Sequence, residues 1–513
     1  MLVASLYTRA VLGMDSPQVV VEVHASNGLP SFSIVGLPEA SVKESKDRVR
    51  SAIISSGFKL PPKRITVNLA PADLPKSGGR YDLPIAIGIL LATEQLNINN
   101  IADFELFGEL ALTGELRSIN GAISSLLASY SSNKKILLPL SNINEARLLV
   151  QTYPELKSNL FLVNDLREAC QVLMGQVAAK NIDTELILKP GNDNHYAQDL
   201  SEVRGQLQAK RALEIAASGH HSMMMVGPPG SGKSMLASRL ITILPDLTSD
   251  EAIEVANIRS ISGQQIEQDS FYSRPFIHPH HTASAAAMVG GGSTPKPGAL
   301  SLAHNGVLFL DELPEFNRAV LEALREPLET KSVNISRVNQ HVSYPANSLL
   351  ITAMNPSPSG FFADDPLGRC KDTPDQIIRY QKKISGPLMD RIDVHIEVPA
   401  VDIVDLQNHS QTQEETSAVV KQRVTDVRAF QLERQGCFNS ELSSNELNEL
   451  AKLDTVEQAF MEKAVTGLGL SARGYHRVLR LSRTIADMQA DNQIKIEHLA
   501  EALSYRTTSK VFM

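Results

Sequence analysis

A glycine-rich segment in the middle of the 513-residue chain has residue types and spacing suited to binding phosphate. It fits the pattern G-x-x-x-x-G-K-[ST] and consists of Gly227, Pro228, Pro229, Gly230, Ser231, Gly232, Lys233 and Ser234. Glycines let backbone N–H groups point at phosphate oxygens, and the amino terminus of a following helix adds a favourable dipole. In such a loop the lysine reaches the β- and γ-phosphates and the serine hydroxyl ligates Mg²⁺. The segment therefore predicts that ATP and Mg²⁺ bind here.

A pair of acidic residues fits the other half of such a site. The apolar run 307–310 ends in Asp311 and Glu312. A carboxylate at the end of a buried strand can hold Mg²⁺ together with Ser234, and a second carboxylate beside it can activate a water molecule as general base. An acidic pair alone is typical of a solvated loop, but after a phosphate-binding loop it favours an ATPase over a passive nucleotide binder.

Three further polar residues follow in the chain. Asn355 ends an apolar run and can orient water or the γ-phosphate, although an Asn before proline is also typical of a turn. Arg391 can reach ATP bound by a neighbouring subunit, where charge develops in the transition state. Arg473 is a candidate sensor of the γ-phosphate. Arg477 and Arg480 share its helical face, so Arg477 is a second candidate sensor and a solvated basic face is the alternative.

The hydrophobic pattern predicts the elements that position these residues. Short apolar runs at 223–226, 307–310 and 349–353 alternate with helical patterns, which is typical of βαβ units in a parallel sheet. The predicted fold class is therefore α/β, a P-loop core followed by helices.

Changes in pattern divide the chain into four predicted parts. Residues 1–175 mix strands and helices and form an α+β domain, and residues 176–198 lose periodicity as a linker does. Residues 199–402 form the nucleotide-binding core, and residues 403–513 form a helical lid.

Composition excludes several classes of protein. Hydrophobic residues make up 42% and charged residues 21%, an ordinary globular balance. A net charge of −8 excludes a uniformly basic nucleic-acid binder but not a local basic surface. The three cysteines are odd in number and far apart in the sequence, so they do not predict a disulfide framework. Neither a signal peptide nor an apolar run of membrane-spanning length is present, so we expect a cytoplasmic protein that does not bind membranes.

The motifs together resemble those of AAA+ ATPases of the magnesium-chelatase-like, helix-2-insert clade, and specifically the YifB/ComM family of competence-related proteins. The most specific strings are residues 274–284 (RPFIHPHHTAS), 289–292 (VGGG), 297–306 (PGALSLAHNG) and 385–393 (SGPLMDRID). The resemblance covers nearly the whole chain. It implies an AAA+ P-loop core with a C-terminal helical lid, which assembles with itself into an ATP-driven ring, commonly a hexamer.

The resemblance also implies an element that grips the substrate. In that clade the segment before the acidic pair, here residues 283–304, is a helix interrupted by a hairpin directed at the central pore. Residues 290–292 are the candidate turn, and Gly291 and Lys296 are the candidate DNA contacts. Arg379, Lys382 and Lys383 are further basic residues expected near the pore and lid.

Two possible metal sites can be assessed from the sequence. His278, His280 and His281 are close enough in sequence to share a metal, but no carboxylate or cysteine lies near them in sequence, which favours a structural or nucleotide-coupling role. Members of the family often carry a cysteine-rich zinc site at positions that here are Ser357, Ser359, Cys370 and Asp372. A single thiolate does not predict zinc binding.

Residues 75–79 (PKSGG), 112–115 (LTGE) and 119–121 (ING) resemble motifs of the proteolytic domain of Lon, with its fold like domain 2 of ribosomal protein S5. Lon uses a serine nucleophile and a lysine base, and the aligned positions here are Arg80 and Ile123. The adjacent Ser77 and Lys76 point in different directions on an extended loop, so we expect no peptidase activity. Arg80 and Asp82 are expected to serve assembly or DNA contact instead.

The expected function is an ATP-hydrolysing ring motor that acts on single-stranded or branched DNA. Through the family resemblance, the expected role is that of a helicase or branch-migration factor in recombination during natural transformation. One alternative is the motor subunit of a magnesium chelatase, against which the N-terminal domain argues. Another is an ATP-gated adaptor without motor activity, against which Glu312 and Arg391 argue.

Overall fold

The computed structural model describes residues 3–180, 182, 196, 198–292, 295–337, 340–400 and 414–507. Most of the predicted linker and the predicted boundary at 402–403 lie outside the described residues.

The first part of the chain is built on a mixed seven-stranded sheet in the order β3-β4-β2-β1-β5-β8-β9. Its strands are β1 Val3–Arg9, β2 Gln18–Ser26, β3 Ser31–Val35, β4 Arg64–Ala70, β5 Phe104–Leu106, β8 Lys135–Pro139 and β9 Leu160–Val163, and β6 Glu109–Leu110 pairs separately with β7 Leu116–Arg117. The helices are α1 Ala40–Lys43, α2 Ser45–Ser55, α3 Asp82–Ala92, α4 Ala122–Ser131, α5 Ile143–Thr152 and α6 Leu166–Leu173. Every residue of α3 except Leu91 is buried, because this apolar helix packs against β1 and β2.

The central part contains a five-stranded sheet in the order β11-β14-β17-β10-β18, with all neighbours parallel. Its strands are β10 Met223–Val226, β11 Phe276–Ile277, β14 Val307–Leu310, β17 Leu349–Met354 and β18 Val394–Glu397. All residues of β10, β14 and β17 are buried, as expected for a parallel sheet covered on both faces. The α/β fold class and the strands predicted at 223–226, 307–310 and 349–353 are confirmed.

Nine helices of the described central part surround this sheet. They are α7 Leu207–Gly219, α8 Lys233–Ile243, α9 Ser249–Ser262, α10 Ala285–Val289, α11 Ala299–Leu302, α12 Arg318–Ala323, α13 Arg325–Thr330, α14 Pro374–Gln381 and α15 Gly386–Met389. α9 begins with a capping box between Thr248 and Glu251 and ends at Gly263, whose φ of +81° suits a helix terminus.

Two hairpins project from this part. Between α10 and α11, strands β12 Gly290–Gly291 and β13 Lys296–Pro297 pair antiparallel, which confirms the predicted interruption of a helix by a hairpin. A second hairpin, β15 Ser332–Arg337 with β16 Gln340–Pro345, was not predicted. The two hairpins lie against each other, since a Cβ placed on Gly290 would lie 3.0 Å from Ile335 Cδ1.

The C-terminal part is helical, as predicted. Its helices are α16 Ser417–Gln435, α17 Ser444–Leu450, α18 Thr455–Leu468, α19 Ala472–Met488 and α20 Ile496–Thr507. The side chain of Ser471 caps α19 by accepting a hydrogen bond from the Gly474 N–H.

The N-terminal and central parts share a continuous apolar cluster. α4 packs against α9, with Ile123 and Ile253 among the buried residues of this cluster. Backbone hydrogen bonds reinforce the contact, because Gly121 N donates to Ser260 O at 2.9 Å. The two parts are therefore in direct contact through buried apolar side chains and backbone hydrogen bonds.

Candidate active site

The phosphate-binding loop joins the carboxyl end of β10 to the amino end of α8, as the motif requires. Gly227 has no room for a side chain, because a Cβ there would lie 2.1 Å from Val398 O. Gly230 and Gly232 have φ values of +76° and +87° and open space beside them. The backbone of this loop is thus shaped as a concave cradle for phosphate oxygens.

Lys233 points back into this cradle. Its Nζ donates to Gly227 O at 2.7 Å, to Pro228 O at 2.9 Å and to Asn355 Oδ1 at 3.2 Å. Burial lowers the pKa of Lys233, whereas the nearby Asp311 and Glu312 act in the opposite direction. The ammonium group is therefore held at the loop by weak neutral acceptors that a phosphate can replace.

The residues present fit Mg²⁺ and ATP. The hydroxyl of Ser231 is buried in the loop without a hydrogen-bond partner among the described residues, and it lies 2.9 Å from the position of a Cβ on Gly227. Ser234 Oγ donates to Asp311 Oδ2 at 2.7 Å, which brings together two oxygen ligands of the type that Mg²⁺ prefers.

Glu312 lies beside this pair and has a left-handed backbone conformation. Its φ is +52°, and its N–H donates to Asp311 Oδ1 at 2.9 Å. The side chain is about half exposed, with Oε2 lying 3.1 Å from His281 Nδ1. The structure thus brings the loop, Asp311, Glu312 and Asn355 to one edge of the sheet.

Arg391 lies at the opposite side of the sheet, where the amino ends of the parallel strands meet. It precedes β18, which runs parallel to β10 with Val394 opposite Met223, so Arg391 is at the amino ends of strands whose carboxyl ends carry the phosphate loop. Its guanidinium donates to Pro387 O at 2.6 Å and pairs with Glu329 at 2.5 Å. Arg391 therefore does not reach the phosphate loop of its own chain.

Arg473 lies on the same side as Arg391. Both line a cavity of about 440 Å³, together with Arg477 and Arg480. α19 packs against the amino ends of the strands, because Thr484 Oγ1 lies 2.8 Å from His221 Nε2. The lid thus carries its arginines away from the phosphate loop of the same chain.

The arginines of α19 have different partners. Arg477 pairs with Asp393, and Arg480 donates to Leu442 O. Although burial opposes ionisation of Asp393, the Arg477 and His221 side chains hold its pKa below the usual value. Arg473 is exposed and has no hydrogen bond or ion pair among the described residues. Of the two candidate sensors, Arg473 is the one whose side chain is available to a ligand.

The four positions considered for zinc lie together and bond to one another. Ser357 Oγ is 3.2 Å from Ser359 Oγ, Cys370 Sγ is 3.7 Å from Ser359 Oγ, and Asp372 accepts from Ser359 N at 2.7 Å. The loop that they close rests on the phosphate loop, since a Cβ on Gly360 would lie 2.8 Å from Pro229 Cγ. Hydrogen bonds therefore support this loop next to the ATP site.

The three histidines have separate neighbours. His278 packs its ring 4.8 Å from the ring of Phe309, His280 Nδ1 lies 2.8 Å from Thr282 Oγ1, and His281 contacts Glu312. Within the described ranges they do not belong to a group of three or more ligands that could hold a metal.

The structure contradicts the expected surface role of Arg80 and Asp82. Both are buried: Arg80 donates to Arg9 O and Ser125 Oγ, and Asp82 pairs with Arg48 at 2.7 Å. Their polar groups are used inside the N-terminal part because the loop turns inward before α3. Lys76 is also buried and donates to Pro71 O.

Comparisons with known proteins agree with this geometry. Residues 199–406 match a family model described as "Magnesium chelatase, subunit ChlI", residues 21–142 one described as "Subunit ChlI of Mg-chelatase", and residues 414–506 one described as "Magnesium chelatase, subunit ChlI C-terminal". The parallel sheet, the phosphate loop and the helical C-terminal part define the class as a magnesium-chelatase-like AAA+ ATPase.

Relatives narrow this assignment. The chain is 48% identical over 508 residues to "Competence protein ComM" of Haemophilus influenzae, covering 99% of this chain and 98% of that protein. It is 46% identical over 510 residues to "Uncharacterized protein YifB" of Escherichia coli, covering 99% and 98%. The chain belongs to the YifB/ComM family of AAA+ ATPases, which implies use of a nucleotide and Mg²⁺.

A more distant likeness covers part of the chain. "DNA replication licensing factor mcm-6" of Caenorhabditis briggsae is 21% identical over 216 residues, which are 40% of this chain and 25% of that protein. No helix among the described residues is long and apolar enough to cross a lipid bilayer.

Sequence reasoning missed two features of the site. One is the anchoring of α19 by His221, Asp393 and Arg477, which lie far apart in the sequence. The other is the contact between His281 and Glu312, which the neighbouring positions of β11 and β14 in the sheet could have indicated.

Proposed function

We propose that this protein hydrolyses ATP as a ring of like subunits and uses the energy to move along single-stranded or branched DNA. On this proposal it promotes branch migration during recombination in natural transformation. The observation that carries the proposal is the division of the ATPase residues between opposite edges of one sheet.

The edge at the phosphate loop supplies binding and water activation. The loop amides and Lys233 hold the phosphates, while Ser234 and Asp311 hold Mg²⁺, which would neutralise charge on the phosphate oxygens. Glu312 accepts a proton from the attacking water, and Asn355 orients that water or the γ-phosphate.

The other edge supplies positive charge to a neighbouring subunit. Arg391 and Arg473 line one cavity and cannot serve the phosphate loop of their own chain. A head-to-tail contact between subunits places this cavity against the next phosphate loop, and repetition of that contact closes a ring. A hexamer is the ring size that the family favours.

The hairpins supply the contact with DNA. Gly291 lies opposite Lys296 in the β12–β13 pair, and Lys296 is exposed. The adjoining β15–β16 hairpin exposes Asn334, Ser336 and His341 on one face. These groups can donate hydrogen bonds to phosphates, and the likeness to a competence protein and a DNA replication factor supports DNA as the polymer.

A magnesium-chelatase motor is the second candidate, because all three matching family models bear that description. The match over residues 21–142 removes the argument that the N-terminal part excludes this function. The near-complete alignment with a competence protein favours the DNA motor.

The test is ATP hydrolysis by the full chain without DNA and with single-stranded, duplex, forked and four-way DNA, with the mass of the assembly measured alongside. We expect forked or single-stranded DNA to raise the rate and Lys233→Ala to abolish hydrolysis. A rate indifferent to every DNA would contradict a DNA motor and favour the chelatase function. Absence of hydrolysis in an assembled ring would indicate an adaptor.

A further inference from the structure

One edge of the seven-stranded sheet in the N-terminal part has no covering strand among the described residues. β3 is the last strand at that edge, and β4 is its neighbour on the other side. An edge strand presents the N–H and C=O groups of alternate residues to solvent, where another strand can pair with them. The opposite edge differs, because Leu162 of β9 forms an antiparallel bridge with Lys180. β3 is therefore the edge of this sheet that is open to a partner.

The residues of this edge are apolar where a solvated edge would be charged. Proteins commonly protect an edge strand from pairing with charged side chains. Here the chain has no charged residue from 25 to 38. Leu29, just before the strand, is 89% exposed, and Leu37, just after it, is 57% exposed. Phe32 and Ile34 of the strand itself pack on the apolar cluster of the N-terminal part but remain half-buried.

The strand is complementary to itself about its central residue. In an antiparallel pair with Ser33 of one copy opposite Ser33 of another, Phe32 of each copy lies opposite Ile34 of the other. These aromatic and β-branched side chains meet on the face that packs on the apolar cluster, which favours the pair. The same register brings Leu29 of each copy beside Leu37 of the other. Both apolar contacts occur twice, and like charges do not meet.

Two-fold pairing also agrees with the other edge of the sheet. A two-fold contact joins the same surface of both copies and closes at two. Pairing of β3 with β9 of the next copy would instead extend the sheet head to tail. The bridge between Leu162 and Lys180 occupies β9 and opposes that arrangement. A second copy of this chain, paired through its own β3, is the occupant that fits.

We propose that β3 is a docking edge for β3 of a second copy, so that two seven-stranded sheets join into one continuous sheet. This two-fold contact differs from the head-to-tail contact of the proposed ATPase ring and does not depend on it. Where rings form, the β3 contact joins them in pairs.

The first test compares the mass of the full chain with that of edge variants by analytical ultracentrifugation without nucleotide. Ser33→Lys places two like charges opposite each other, and Leu29→Lys removes an apolar contact that occurs twice. Both residues are exposed, so neither change disturbs the core. We expect each variant to have half the mass of the wild type whatever the ring size, because each subunit has one β3.

Leu112→Lys is the matched control, because Leu112 is 58% exposed and lies in the turn between β6 and β7, outside this sheet. It should keep the mass of the wild type, and circular dichroism establishes that each variant folds. A wild-type mass no greater than that of both edge variants would overturn the pairing. An equal loss of mass in Leu112→Lys would overturn it as well. Failure of the ring alone leaves the twofold ratio of masses intact.

The second test determines the register by disulfide formation. Cys370→Ser and Cys437→Ser first remove the partly exposed thiols. In that background Ser33→Cys should give a disulfide-linked dimer on oxidation, because facing Cβ atoms lie about 5 Å apart. Ser31→Cys alone should not, since the two positions lie about 13 Å apart along the strands. A mixture of Ser31→Cys with Val35→Cys should form the mixed dimer. Absence of the Ser33→Cys dimer, or an equal yield from Ser31→Cys alone, would overturn the proposed pairing.

Discussion

At the scale of residues, the proposed ATP chemistry depends on a few polar groups at the ends of buried strands. Lys233 is held by main-chain carbonyls and Asn355, and Ser234 is held by Asp311. These contacts prepare the loop before the nucleotide arrives, because each partner is neutral or is replaced by phosphate and Mg²⁺ on binding.

Substitutions of Lys233 and Glu312 should separate the binding of ATP from its hydrolysis. Lys233→Ala removes the charge on the phosphates and should abolish detectable ATP binding. Glu312→Gln keeps the shape of the side chain but removes the base, so ATP should bind normally while kcat falls about 100-fold or more. Nucleotide-binding titrations and steady-state hydrolysis measure the two effects. Retention of more than about a tenth of kcat in Glu312→Gln would contradict the role of general base.

The residues of the phosphate loop could be predicted because their chemistry is contiguous in sequence. The placement of Arg391 and Arg473 beside one cavity could not, because it depends on how α19 packs against the sheet. The burial of Arg80 and Asp82 was not predicted for a similar reason, since Asp82 pairs with Arg48 of another helix and Arg80 donates to Ser125 of α4.

At the scale of elements, the lid is fixed to the amino ends of the central strands. Asp393 lies just before β18 and forms an ion pair with Arg477 of α19. His221 lies against Asp393 Oδ2 at 3.4 Å and against Thr484 Oγ1 at 2.8 Å. This network decides which α19 side chains remain free.

Arg473 and Arg477 should therefore behave differently when replaced. Arg477→Ala leaves Asp393 poorly paired and should lower the free energy of unfolding by about 3 kcal/mol. Arg473→Ala should leave thermal stability unchanged but lower the ATPase rate of the assembled protein. Thermal denaturation and ATPase rates distinguish them. Equal loss of stability in both variants would contradict this division of roles.

The β12–β13 hairpin was predicted, whereas the β15–β16 hairpin was missed. The run 290–292 carries three glycines and belongs to a string that identifies the insert. The strands of the second hairpin, Ser332–Arg337 and Gln340–Pro345, are instead rich in polar residues. Their apolar side chains, such as Val333 and Tyr344, are buried only because the hairpin packs on the central part.

Substitution of Lys296 should affect the binding of DNA more than the hydrolysis of ATP. Lys296→Ala removes one exposed charge at the β12–β13 hairpin and should weaken DNA binding about uniformly across sequences. The slope of the logarithm of the DNA-binding constant against the logarithm of the salt concentration should fall by the amount of about one phosphate contact. Lys452→Ala, an exposed lysine just after α17, is the control. Fluorescence anisotropy at several salt concentrations measures the effect. Equal losses in both variants would contradict a hairpin contact.

At the scale of the whole molecule, the N-terminal part is docked on the elements that carry the hairpins. The turn after β1 places Gly13 against β16, where a Cβ would lie 2.3 Å from Val342 Cγ1. The apolar side chains of Val11, Leu12 and Met14 pack on the same cluster as Val342. The N-terminal part thus braces the second hairpin.

Gly13→Ala tests this brace. Gly13 has a φ of +62°, and the substitution should cost about 1 kcal/mol from the left-handed backbone and more from the contact with Val342. Gly175→Ala is the matched control, because its φ is +71° and its Cβ would meet nothing within 4 Å. Thermal denaturation should show the larger loss for Gly13→Ala. A loss no greater than in the control would contradict the packing.

The composite active site, shared between subunits, is the central claim, and mixing two inactive variants tests it most directly. Lys233→Ala protein lacks a working phosphate loop but keeps Arg391, and Arg391→Ala protein has the opposite defect. In rings formed from an equal mixture, about a quarter of the interfaces join a working loop to a working arginine. We predict that the mixture recovers about a quarter of the wild-type ATPase rate when neither variant alone is active. A mixture no more active than its separate components would contradict a site built between subunits.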